Sequence, residues 1–143
     1  PTRAVTFTTD GYLLIGGNDQ GRLCVWDCSL TEQSSGGGRT STLAAPALAH
    51  HVASAHNTDT AWILQAMAID AQRFATLGAN HTICIWNVQQ MHQAMHTFQS
   101  NQSLWSLNLF LPDKSPSTPT PLAPRLVAGS DNGWLEVFSL ENK

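Results

Sequence analysis

Residues 16–27 read GGNDQGRLCVWD: a glycine-bounded polar turn runs into an apolar stretch that ends on Trp26-Asp27. The pattern returns in weaker form as LGANHTICIWN over 77–87 and as GSDNGWLEVFS over 129–139. Recurrence of this kind marks stacked supersecondary units, each too small to bury its apolar face alone.

The sequence around each copy supports short antiparallel strands. Upstream of the first, AVTFT over 4–8 alternates with the period of a half-buried strand, and Asp10-Gly11 supplies the positive-φ residues of a hairpin turn. Residues 12–17 form a second strand and 22–27 a third, with Leu23 and Val25 on one face. The second unit has the same order over 63–69, 73–77 and 82–88, with Asp70-Ala71 where Asp10-Gly11 stood. The third has it over 104–111, 125–128 and 134–140. Fourth, outer strands are expected within 42–52 and near 95–99.

These residues resemble the WD-repeat β-propeller family. The resemblance is carried by Trp26-Asp27, its echoes Trp86-Asn87 and Phe138-Ser139, the turn aspartates Asp19 and Asp131, and Ala55-His56 at a Gly-His position. It covers nearly all the chain outside two insertions. It implies an all-β fold of three four-stranded antiparallel blades: about 4–52, 61–99 and 104–140. They would form part of a larger ring, expected to be seven-bladed. The family ties each blade with a His, Ser/Thr, Asp and Trp network. Carried over, the network takes His56, Thr76 and Trp86 in the second unit, where Ala79 replaces the Asp. It takes Asp19 and Trp26 in the first, with Gly16 at the hydroxyl position, and Asp131 alone in the third. Networks short of a buried partner should leave these blades less rigid.

Trp26 and Trp86 lie 60 residues apart and Trp86 and Phe138 lie 52 apart, against roughly 40–45 in the family. The excess is expected in a flexible Ser/Gly/Thr loop at 31–42 and in a proline-rich loop at 112–124, whose prolines cannot donate to a sheet ladder. No outer strand is expected before Ala4 or after Leu140. The remaining blades are therefore expected from other parts of the same chain, or from a partner or second copy. Pro1 in place of Met fits a processed chain or a piece of a longer one.

Only 12% of the residues are charged, about half the usual share, so the surface relies on neutral polar side chains or on cover by other protein. Net charge is −3 and the seven Lys and Arg residues are scattered, which disfavours a phosphate-backbone partner. No apolar run approaches a membrane span and no signal peptide is visible, so an intracellular location, cytoplasmic or nuclear, is expected without a membrane partner. Three cysteines give no complete disulfide set, and buried thiols are the expectation.

Catalytic motifs lack their companions. Ser130-Asp131-Asn132 has no S-x-x-K, and the glycines at 16–21 lack a following Lys and helix. His92 and His96 are four apart without a third ligand, and His50-His51 is equally unsupported. No W-D-x-R follows Trp26-Asp27 and no F-R-R-G occurs, which disfavours the ubiquitin-ligase receptor and phosphoinositide-binding branches of the family. The expectation is a non-catalytic scaffold for other protein subunits, with no cofactor or metal. Trp62, Trp105 and Trp134 are the candidate partner-binding residues, because Trp buries a large area at little rotamer cost. The alternatives are an accessory propeller of a larger enzyme, or a phosphopeptide- or nucleic-acid-binding propeller.

Overall fold

The computed structural model describes residues 1–29, 45–56, 61–112 and 123–140. All regular structure in these segments is β-strand. Strands β1 (Thr2–Phe7), β2 (Leu13–Asn18), β3 (Leu23–Asp27) and β4 (Ala47–Val52) form a first antiparallel sheet in chain order. Strands β5 (Ile63–Ala68), β6 (Arg73–Gly78), β7 (Thr82–Asn87) and β8 (His96–Gln99) form a second in the same order. Strands β9 (Leu104–Phe110), β10 (Arg125–Ser130) and β11 (Leu135–Ser139) form a third. Among the described residues this third sheet has three strands rather than the four expected of a blade. The expected loop at 31–42, and most of the one at 112–124, lie outside the described residues.

Turn chemistry explains the tight connections. Gly11, Gly21 and Gly133 sit at φ of 78°, 71° and 84°, a region that glycine enters without steric cost. In the β1–β2 turn, the Asp10 carboxylate accepts from the Thr8 hydroxyl at 2.6 Å and from the Tyr12 amide at 3.1 Å. Those bonds hold its carboxyl below the usual range. His81 takes the same backbone role in the β6–β7 turn at φ 64°, an uncommon conformation for a side-chain-bearing residue.

The sheets stack in chain order, and the strand alternation makes one face of each meet the opposite face of the next. Ile15, Leu23 and Val25 of the first sheet pack on Phe74, Cys84 and Trp86 of the second. The far face of that second sheet, with Ala75, Leu77, Ile83 and Ile85, packs on Leu107, Leu126 and Ala128 of the third, with half-buried Phe138 against the same cluster. The first strands run side by side at these junctions, β5 against β1 and β9 against β5. The junctions are close: a Cβ on Gly17 would lie 2.5–2.9 Å from the Ile63 side chain. At the next junction the Gln65 amide brackets Leu107, donating to its carbonyl at 2.8 Å and accepting from its N–H at 2.7 Å. Among the described residues the second sheet is thus covered on both faces, whereas the first and third each have one face uncovered.

Candidate interaction surface

The second sheet holds a continuous buried hydrogen-bond chain, built where the link after β4 crosses onto β6 and β7. The Trp86 indole donates to the Thr76 hydroxyl at 2.8 Å, and Thr76 Oγ1 lies 2.9 Å from His56 Nε2. On the other side of the ring, His56 Nδ1 lies 2.5 Å from Thr82 Oγ1, and the Thr82 hydroxyl donates to Asn80 Oδ1 at 2.6 Å. The Asn80 amide nitrogen closes the loop by donating to the His56 carbonyl at 3.0 Å.

These contacts fix the tautomer. The Asn80 NH2 is committed to the His56 carbonyl, so its oxygen faces Thr82 and takes that hydroxyl's proton. Thr82 Oγ1 must then accept from His56 Nδ1–H, which leaves Nε2 as an acceptor for the Thr76 hydroxyl. The ring is neutral, and burial lowers its pKa to about 4. Cys84 Sγ lies 3.6 Å from Nδ1 in the same buried space, and desolvation pushes that thiol up. A buried thiol with a raised pKa is inert rather than nucleophilic.

The shortfall expected from Ala79 is therefore filled from elsewhere. Asn80 and Thr82, which the sequence reading passed over, complete the coordination of His56 without a carboxylate. Gly78 makes the room, since a Cβ there would lie 2.5 Å from His56 Nδ1 and 2.6 Å from Asn80 Oδ1. Among the described residues no comparable chain joins Asp19 to Trp26. The Asp19 backbone N–H instead donates to the Pro1 carbonyl at 3.3 Å. Trp26 lies over Gly16, where a Cβ would sit 2.8 Å from its ring. Asp131 is exposed, and its backbone N–H donates to the Ser103 carbonyl at 3.1 Å.

The three candidate tryptophans gather at one end of the stack. Trp62 precedes Ile63, which pairs with Gly78 beside the β6–β7 turn. Trp105 follows Leu104, which pairs with Ser130 beside the β10–β11 turn, and Trp134 leaves that turn. Direct bonds tie this end together. The Ser100 amide donates to the His81 carbonyl at 2.9 Å, and the Asn132 amide donates to Gln102 Oε1 at 2.6 Å. The Arg3 guanidinium lies 4.2 Å from the centroid of the Trp62 ring, so a cation–π contact already occupies that indole. By contrast, Trp105 and Trp134 are 61% and 66% exposed.

Among the described residues no three His, Cys, Asp or Glu side chains come together as metal ligands, and no helix is long and apolar enough to cross a membrane. The chain matches no protein-family model and no curated protein sequence.

Proposed function

We propose that the three sheets are blades of a WD-repeat-type β-propeller, part of a larger ring, and that the chain serves as a non-catalytic scaffold for other protein subunits. The repeated stacking of antiparallel sheets with adjacent first strands supports the architecture. The observation that carries the functional reading is the exposure of Trp105, at the start of β9, and of Trp134, where the β10–β11 turn ends. Large aromatics held on a strand end and a hydrogen-bonded turn bind with little ordering cost. Truncating a central interface Trp commonly costs ~2 kcal/mol or more, which corresponds to roughly 30-fold in affinity.

The test compares the proteins co-purified with the wild type and with the Trp105→Ala, Trp134→Ala double variant. Loss of a specific subunit with an unchanged melting temperature supports the reading. An identical set of co-purified proteins at equal yield refutes it.

A further inference from the structure

Asn132 is the one asparagine of the sequence that precedes a glycine. It lies exposed in the β10–β11 turn, and the turn's own bonds act on its side-chain amide. The Ser130 hydroxyl is in hydrogen-bond contact with Asn132 Oδ1. A hydroxyl has one proton to give. The other oxygen in reach, the Trp134 carbonyl at 3.1 Å, already accepts from the Ser130 N–H, so that proton goes to Oδ1. The Trp134 N–H donates to Ser130 Oγ at 3.0 Å and lies 3.4 Å from Oδ1. This relay polarises the Asn132 side-chain carbonyl. The next nitrogen belongs to Gly133, where the space a Cβ would take is open. Its N–H reaches the Ser130 carbonyl only at 3.3 Å.

Two other turns serve as internal comparisons. In the β1–β2 turn the Thr8 hydroxyl and the Tyr12 N–H donate to Asp10 Oδ1, and Gly11 follows. There the group is a carboxylate held ionised, a poor electrophile, and the Gly11 N–H is tied to the Thr8 carbonyl at 2.8 Å. In the β2–β3 turn Asn18 Oδ1 accepts from two backbone amides at 2.9 and 3.0 Å. The nitrogen that follows it belongs to Asp19, whose side chain shields it.

We infer that Asn132 is a site of spontaneous modification, at which the β10–β11 turn promotes the loss of its own side-chain amide. Water or hydroxide takes the Gly133 N–H proton, and the nitrogen attacks Asn132 Cγ to form a cyclic imide. Negative charge collects on Oδ1, where the Ser130 hydroxyl is already placed to receive it. The Cγ–Nδ2 bond then breaks, and Nδ2 leaves as ammonia with a proton from water. Water opens the imide at either carbonyl, giving aspartate or isoaspartate. Neither product can donate to Gln102 Oε1, which the Asn132 amide now reaches at 2.6 Å. Isoaspartate also adds a methylene to the main chain two positions before Trp134. The inference does not rest on the scaffold reading, because its readout is a covalent product.

The test incubates the chain at neutral pH, folded and in urea, and follows each asparagine by peptide mass spectrometry. Methylation by an isoaspartyl methyltransferase reads the isoaspartate. Asn132 should be the first asparagine lost from the folded chain, with isoaspartate among the products. Ser130→Ala should slow the loss about tenfold, as removing one hydrogen bond to a developing charge does. That slowing should vanish in urea, and Ser130→Thr should restore the folded-state rate. Circular dichroism checks folding, and the order of loss in the wild type tests the site even where a variant does not fold. An Asn132 that keeps its amide while another asparagine loses its own overturns the inference. So does aspartate without isoaspartate, which marks direct hydrolysis. A folded Ser130→Ala chain that reacts as fast as wild type, or slowing that persists in urea, overturns it as well.

Discussion

Acid should loosen this protein through His56. An ordinary imidazole titrates at 6.5, and burial holds this one at about 4. Its folded pKa lies below its unfolded value because the neutral ring is the form the hydrogen-bond chain accepts. Above pH 6.5 the ring is neutral in both states and the contribution to stability is complete. As pH falls from there to about 4 the unfolded chain takes up a proton that the folded chain refuses, so stability is lost. Below that the folded ring protonates too and the loss levels off. At about 1.4 kcal/mol per pH unit the total is roughly 3 kcal/mol. Urea melts of wild type and His56→Gln, each at pH 7.5, 6, 5 and 4, isolate the effect. Carboxylates with lowered pKa values, such as Asp10, Asp27 and Asp70, also cost stability in acid, but they are common to both proteins and cancel. The wild-type advantage should shrink by about 3 kcal/mol between pH 7.5 and 4. A constant difference would refute the neutral, buried assignment.

Thr82→Val keeps the shape but strands His56 Nδ1–H and Asn80 Oδ1, so denaturant melts should show a loss of about 1–3 kcal/mol; a neutral result would mean that water or another group serves His56. Gly17→Ala drives a methyl into Ile63 and should cost about 1–3 kcal/mol, with an unchanged melt contradicting the close approach of the first two sheets. His81→Asn places a residue more tolerant of positive φ in the β6–β7 turn, and it removes a buried Nδ1 that has no partner among the described residues. It should raise stability by about 0.5–1 kcal/mol, and a loss would show that the imidazole makes contacts worth more than the strain.

The local grammar of the fold was legible because it is written in adjacent residues. Asp10-Gly11, the glycines at 21 and 133, and the alternation of Leu23 and Val25 each place a turn or a face within a few positions. Even the outer strands at 47–52 and 96–99 fell inside the expected windows. The part that escaped depends on convergence across the sheet. Nothing near Asn80 or Thr82 announces that they meet a histidine more than twenty positions upstream. Reading the turn for an Asp at position 79 looked for one chemical solution where two neutral groups supply another. A usable signal was present in Gly78, Asn80 and Thr82 together, a small residue followed by two polar ones beside a missing acid. Arg3 over Trp62 was invisible for the same reason, since Arg3 lies in β1 and Trp62 precedes β5 of the next sheet.

The central claim is that one junction is used twice, leaving the middle sheet, among the described residues, covered on both faces and the outer two on one. Hydrogen–deuterium exchange on the chain tests it most directly. The account predicts that amides of β6 and β7 exchange slowest and those of β11 exchange far faster, because local opening there uncovers little buried apolar surface. Protection of β11 equal to that of β7 would contradict it.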